Sequence, residues 1–252
     1  MSPRWWDSYG GRVDERQEQG AGRGRGRPSR ALVTRDDIAE AALRIAGDAG
    51  FPALTMHGLA RELGVTTRAL YNHVRDRQEV VDLAAQRMVE GLPRTQWDAS
   101  RWRESLREGY EEARVAYRRI PRAVLVSLDE TVTPSEVPAA RFLLAESMLT
   151  FFTDIGLSLE WALAMRGAFL SDIFAHALLI DYRYDRGSAA VREAMGQPIP
   201  AGWLEAQPDV EVPLSRGVAS LPSPTSDDMF AAVVDLRIAA IERLLEVGSV
   251  GE

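Results

Sequence analysis

The stretch Thr66-Thr67-Arg68-Ala69-Leu70-Tyr71-Asn72-His73 gathers the side chains that read a nucleic-acid duplex. An Arg or an Asn makes two parallel hydrogen bonds to a base edge, and a Thr or Ala methyl meets a thymine methyl. Thr and Tyr hydroxyls suit phosphate oxygens. Leu70 and Val74 are four apart and apolar, so they hold the stretch down. That leaves Thr66, Thr67, Arg68, Ala69, Tyr71, Asn72 and His73 facing outward. A second candidate lies upstream, in Gly24-Arg25-Gly26-Arg27-Pro28. Extended Arg-Gly-Arg-Pro fits a narrow A·T minor groove, where the negative potential favours Arg. Arg25 and Arg27 would make those contacts; the alternative is a solvated linker.

Enzyme chemistry finds no foothold. The chain has no Cys, and its 30 basic residues are all Arg. Thiolate metal sites, cysteine nucleophiles and lysine Schiff bases are therefore excluded. No G-x-S-x-G elbow, H-E-x-x-H, P-loop or Rossmann glycine signature occurs. The three histidines are scattered, so no metal site and no cofactor are expected. Adjacent acids such as Glu111-Glu112 cannot share a helix face.

The elements that must carry the first stretch are short helices with tight punctuation. Thr34, followed by Asp36 and Asp37, is an N-cap with acids in the first turn. Ile38, Ala42, Ile45 and Ala49 form one apolar face, and Gly50 stands where a helix ends. Thr55 caps the next helix, with Met56, Leu59, Ala60 and Leu63 as its stripe and Gly64 as its stop. Thr66 or Thr67 caps a third helix. Asp76 caps a fourth, carrying Val80, Val81, Ala84 and Met88. Two short helices joined by a turn containing Gly form a helix-turn-helix, whose second helix enters the major groove.

Residues 97–195 read as longer helices with large apolar side chains. Trp102, Tyr110, Phe142, Phe151, Met165, Phe169 and His176 are the candidate lining of an apolar ligand cavity between them. Core packing is the alternative for each. His176 is expected to bond a backbone carbonyl or to pair with Asp172, four residues earlier. Residues 196–225 hold six prolines and read as a long loop. A last helix spans about 226–247, with Phe230, Val234, Ile238, Ile241 and Leu245 along one seam. No period-2 alternation appears, so the chain reads as all-α. The expected organisation is a flexible Arg/Gly-rich tail at 1–30, a helix-turn-helix domain at 31–92, and a larger helical domain at 97–252.

The 252 residues carry a net charge of −7, which alone argues against a nucleic-acid partner. The sum hides a division. Residues 21–77 are net +4 and residues 78–252 net −10. A basic end on an acidic body would orient the molecule on DNA. No signal-peptide stretch is seen in the first 30 residues. Arg141, Glu146, Asp154, Glu160, Arg166 and Asp172 interrupt the most hydrophobic third. No membrane span and a cytoplasmic location are the expectations.

The segment AGFPALTMHGLARELGVTTRALYNHVRDRQEVV, Ala49 to Val81, resembles the DNA-binding domain of the tetracycline-repressor (TetR) family. Its Gly, Thr, Leu-Ala, Leu-Gly-Val, Leu-Tyr-x-His and Arg-x-x-Val-Val landmarks fall in register. Trp102 and the Gly156-Leu157-Ser158-Leu159-Glu160 turn resemble, more loosely, the regulatory domain of the tetracycline-repressor branch. The resemblance implies a homodimer on a double-stranded DNA operator with two half-sites, and a small-molecule effector pocket in each larger domain. It adds Thr55, His57 and Arg77 to the DNA-approaching set. It makes the Phe230–Leu245 seam half of a four-helix dimer interface, the other half being the helix near 158–182; packing on its own domain is the alternative. The magnesium-binding histidine of the tetracycline-binding branch has no counterpart in Arg122–Thr131, so tetracycline–magnesium is not the expected effector. The reading is a ligand-responsive regulator, foremost a repressor. A constitutive or activating DNA-binding protein is the first alternative, and an enzyme carrying a helix-turn-helix domain a remote one.

Overall fold

The computed structural model describes residues 33–248. No strand occurs among the described residues, and the all-α expectation is met. In chain order the helices are α1 (Arg35–Ala49), α2 (Met56–Glu62), α3 (Thr67–Leu70), α4 (Arg77–Glu90), α5 (Trp102–Arg118), α6 (Val126–Asp129) and α7 (Ala139–Asp154). They continue as α8 (Leu159–Ala175), α9 (Tyr182–Arg186), α10 (Ala189–Met195), α11 (Ala201–Ala206), α12 (Pro213–Val218) and α13 (Ser226–Gly248).

Local chemistry sets the boundaries at the N-terminal end. Thr34 accepts from the Asp37 amide while the Asp37 carboxylate accepts from the Thr34 amide, a reciprocal capping box. Thr55, Thr66 and Asp76 each accept an amide hydrogen bond at the start of α2, α3 and α4. Gly50 and Gly64 have φ of 83° and 65°, the left-handed region that glycine enters at little cost. The α2–α3 turn is thereby fixed, and Leu59, Leu70 and Val74 bury against Ile38, Phe51 and Val80.

Two hydrophobic clusters hold the chain together. The first surrounds α1–α4 but also takes in Ala123 and Val126, with Ile120 and Val132 packed against it. Ile120, Ala123, Val126 and Val132 therefore pack in the N-terminal core although they are remote in sequence, while Val124 and Leu125 between them pack in the second cluster. The second joins α5, α7, α8 and α13 through Leu106, Tyr110, Phe151, Phe152, Phe169, Ile173 and Phe230.

Three features differ from the sequence expectations. Residues 196–225 are not a continuous loop: α11 and α12 occupy six residues each. Pro213 stands at the start of α12, where a missing N–H costs nothing. Next, α8 runs through a π turn at His176–Asp181 into α9. The unbroken run Leu159–Arg186 is long and apolar enough, by length and composition, to cross a membrane, because its few charges leave an apolar window between them. Only 22% of that window is buried. Finally, Phe230, Val234, Ile238 and Ile241 are buried in the chain's own core. The seam expected at a dimer interface is internal packing, and Leu245 packs against the same core.

Candidate nucleic-acid interface and body cleft

The helix-turn-helix presents its polar side chains outward. Thr55, His57, Thr66, Arg68, Tyr71 and Asn72 are exposed, while Thr67, Ala69 and His73 are half-buried. Tyr71 is 52% exposed, unusual for an aromatic residue with a core beside it. Thr55 and Thr66 spend their hydroxyls on the amides of Gly58 and Ala69. They fix helix starts first, and their second lone pairs and methyls remain outside. The segment after α3 is pinned from behind. Arg35 of α1 donates to the His73 carbonyl at 2.6 Å and pairs with Glu79 at 2.6 Å. The Arg75 amide and guanidinium also donate to Glu79, at 2.7 and 3.1 Å. The Arg75 amide, then Arg35 and the Arg75 side chain, hold the Glu79 carboxyl down at about 2.

Arg77 is placed differently from the DNA-approaching role expected of it. Its Nε donates to the Leu54 carbonyl at 2.8 Å and its Nη2 to the Phe51 carbonyl at 2.9 Å. Its outer face pairs with both carboxylate oxygens of Glu130, beyond α6. The guanidinium braces the turn before α2 against the body. Arg25 and Arg27 lie outside the described residues.

Beyond Arg77, α4 is bound to the same extended segment along its length. Gln78 donates to the Thr131 carbonyl at 2.7 Å. Asp82 accepts from the amide and hydroxyl of Thr133 at 2.9 and 2.8 Å. Gln86 donates to the Glu136 carbonyl at 2.7 Å. Arg186 on α9 adds an ion pair to Asp48 on α1 at 2.9 Å. Sequence spacing carries no signal for this latch, because the halves of each α4 pairing lie about fifty residues apart.

The body holds a narrow, open-mouthed cleft of about 70 Å³ between α5, α7, α8 and the chain leaving α4. Leu92, Pro93, Thr95 and Trp97 form one wall; Gly109, Ala113 and Tyr117 form another. Phe169, Met148, Leu144 and Leu170 supply apolar surface, and Arg141 and Arg166 stand among them. Trp97 stacks on Phe151 with ring centroids 4.6 Å apart.

Of the seven residues expected to line a cavity, Phe169 alone lines this cleft. Trp102, Tyr110 and Phe151 are buried as core, and Met165 packs against it. Phe142 is 66% exposed on the outer side of α7. His176 is buried elsewhere, where Nε2 lies 3.1 Å from the Ser226 carbonyl. Burial pushes its pKa down. Asp172 does not pair with it. Asp172 takes the Tyr110 hydroxyl at 2.9 Å and a two-point contact from Arg237. The cleft residues that sequence reasoning missed are Trp97, Arg141 and Arg166. The signal for the arginines was present: each is a single cation in an otherwise apolar helix stretch.

The helix-turn-helix thus keeps its polar edge outward and is latched through α4 to a larger helical body that contains a cleft. Residues 38–84 match the family model described as bacterial regulatory proteins, tetR family. The HTH-type transcriptional repressor DrrR1 of Streptomyces coeruleorubidus is 32% identical over 138 residues, 52% of this chain and 49% of that one. The chain thus spans about half the length of this curated relative. The structure of ActR from Streptomyces coelicolor in complex with actinorhodin matches with a TM-score of 0.64 at 24% identity, covering 88% of this chain and 100% of that one. TetR from Acinetobacter baumannii AYE matches with a TM-score of 0.52 at 21% identity, covering 84% and 98%. Residues 38–84 thus form a DNA-binding domain of the tetR type, and the likeness of the rest of the chain to these solved structures is one of fold.

Proposed function

We propose that this protein is a ligand-responsive transcriptional repressor that binds a palindromic operator as a homodimer and leaves it on binding a small apolar or amphipathic effector. The observation that carries this reading is the position of α4. Asp76, its N-cap, follows the recognition segment directly, and its flank is bound to residues 130–136. The chain leaving its C-terminus at Leu92–Trp97 walls the cleft. A molecule in the cleft bears on that wall, and α4 carries the displacement to the recognition helix. The relative DrrR1 is named a repressor, and the ActR structure holds actinorhodin, which accords with this reading.

In this reading Arg68 and Asn72 touch base edges, with Ala69 beside them. Thr55, His57, Thr66, Thr67, Tyr71 and His73 meet the backbone, and Arg25 and Arg27 serve as a minor-groove arm. Two recognition helices must stand about 34–36 Å apart to enter successive major grooves. An effector that favours another spacing weakens DNA binding, and DNA weakens effector binding by the same factor.

The dimer face is the side of α8 and α13 left uncovered by the core. On α8 it runs Leu163, Gly167, Ser171, Ala175; on α13 it runs Ala232, Leu236, Ala239. Leu163 is 60% and Leu236 70% exposed, and a Cβ at Gly167 would meet nothing within 4 Å. Small residues on both helices allow a second copy to pack closely.

Recovery of bound fragments from a random DNA pool tests the function. A two-fold symmetric consensus is expected, lost in Arg68→Ala/Asn72→Ala. A pool with no common sequence would overturn the reading.

A further inference from the structure

Arg141 on α7 and Arg166 on α8 line the same cleft. Several arginines of the body are matched to acids, Arg103 with Glu242, Arg107 with Asp235, Arg114 with Asp181 and Arg237 with Asp172, while Arg192 and Arg216 bond backbone carbonyls. Among the described residues neither Arg141 nor Arg166 has a carboxylate within ion-pair distance. No acidic side chain lines the cleft. Burial, and then the neighbouring charge of Arg141, lower the pKa of Arg166. Burial pushes the Tyr117 hydroxyl up to about 12, while Arg141 pulls it the other way. The two cations and the phenol all line the cleft.

Arg141 is exposed and Arg166 half-buried beside this apolar lining, so water solvates both at rest and both are open to a guest. The same arrangement suits one kind of guest. A planar carboxylate accepts paired N–H bonds from guanidinium groups, and an apolar or aromatic body fills the space beside Trp97, Phe169 and Met148. Water would keep an isolated carboxylate in solution. The apolar body supplies the driving force for entry, and the arginines make burial of the charge tolerable.

We infer that the cleft takes an amphipathic organic anion, an aromatic or polycyclic carboxylate, whose charged group is held between Arg141 and Arg166 while its apolar body lies against Trp97 and Phe169. The inference rests on the cleft being the effector site proposed above. It adds a chemical class that the fold does not supply.

The test uses the full-length protein and two probes of nearly equal shape, anthracene-9-carboxylate and its methyl ester, titrated by calorimetry at pH 7. Charge-assisted hydrogen bonds predict that the acid binds roughly ten- to a hundredfold tighter than the ester. Arg141→Gln/Arg166→Gln should abolish that preference without weakening the ester. Arg141→Lys/Arg166→Lys should restore part of it, since the charge returns without the fork geometry. Neither guanidinium holds a carboxylate in the resting protein, so the variants should keep the wild-type unfolding midpoint. Equal binding of acid and ester to the wild type would overturn the anion inference and leave the cleft as an effector site. A preference that survives the glutamine variant would overturn it as well. Binding of neither probe would overturn the effector-site reading and the inference together.

Discussion

Arg77 and Glu130 lie 53 positions apart in sequence and meet through two guanidinium nitrogens and both carboxylate oxygens. The pair ties the first turn of α4 to the segment beyond α6. The same guanidinium holds the Phe51 and Leu54 carbonyls. Removing it leaves the Leu54 carbonyl and the mostly buried Glu130 carboxylate without this partner, while the Phe51 carbonyl keeps the Leu54 amide. Arg77→Ala should therefore lower stability by about 2–3 kcal/mol in urea unfolding. It should weaken operator binding only through this loosening. Removing a cation that touches phosphate reduces the salt slope by about one. The slope of Arg77→Ala should match wild type, and that of Arg68→Ala should not.

Glu79 makes acid stability predictable in sign. Its carboxyl is held at about 2 in the folded protein, against 4.5 without its partners. The folded state thus favours the charged form. Its contribution is complete above pH 4.5 and is lost as pH falls toward 2. Denaturant midpoints should fall between about pH 5 and pH 3 for wild type, and fall less for Glu79→Gln. The segment that Glu79 braces through Arg35 and Arg75 carries the recognition side chains, so protection of the His73 and Val74 amides from hydrogen exchange should drop over the same pH window.

The N-terminal part of the fold was legible because its signals are local. Thr34, Thr55, Thr66 and Asp76 cap the helices they precede, and Gly50 and Gly64 mark the ends. Each cap acts within three residues, so sequence spacing carries it. The body was legible only as helices. In α7 and α8 apolar residues lie on every side, so periodicity cannot separate Phe142, which faces solvent, from Phe151, which is core. On α13 the spacing found the buried face correctly. It could not say whether that face met its own domain or a second copy, since both present the same apolar surface. The latch of α4 to 130–136 and the pairing of Arg114 with Asp181 depend on topology alone.

Arg114 and Asp181 are nearly or wholly buried, and the guanidinium donates two hydrogen bonds to the carboxylate, at 3.0 and 2.8 Å. Ser226 donates to Asp181, and Arg114 also reaches Asp227. Burial raises the Asp181 carboxyl, but Arg114 and Ser226 outweigh it and hold it below its ordinary value. Asp181→Ala leaves a buried guanidinium short of its main partner and should cost on the order of 3–5 kcal/mol. Arg114→Met/Asp181→Leu should recover most of that loss in thermal unfolding. A double variant as unstable as Asp181→Ala would refute a charge-burial origin.

The two faces of α13 should respond in opposite ways. Ile241 is buried in the core, so Ile241→Ala should cost about 2–5 kcal/mol of stability. Leu236 is exposed in the single chain, so Leu236→Arg should leave the subunit folded while breaking its pairing. Gly167→Arg, on the facing helix, should do the same. Sedimentation should then report monomers with wild-type circular dichroism and abolished operator binding. Dimers of unchanged strength in both variants would move the interface elsewhere.

Gly109 is the position where a single methyl group should close the cleft. It lies inside α5, where Ala is ordinarily favoured over Gly by about 1 kcal/mol. A Cβ there would stand 2.3 Å from the Trp97 ring, far inside van der Waals contact. The helix backbone cannot yield, so the indole must. Trp97 would lose its stacking on Phe151 and its edge contact with Phe169, whose ring centroid lies 6.2 Å away. The chain leaving α4 would shift with it. Gly109→Ala should therefore keep its helix content, change the tryptophan emission, and bind no effector probe, whether acid or ester. Because Leu92–Trp97 continues from α4, operator affinity should change in the same variant without any ligand. Unchanged operator binding beside abolished probe binding would show that the cleft wall and α4 move independently.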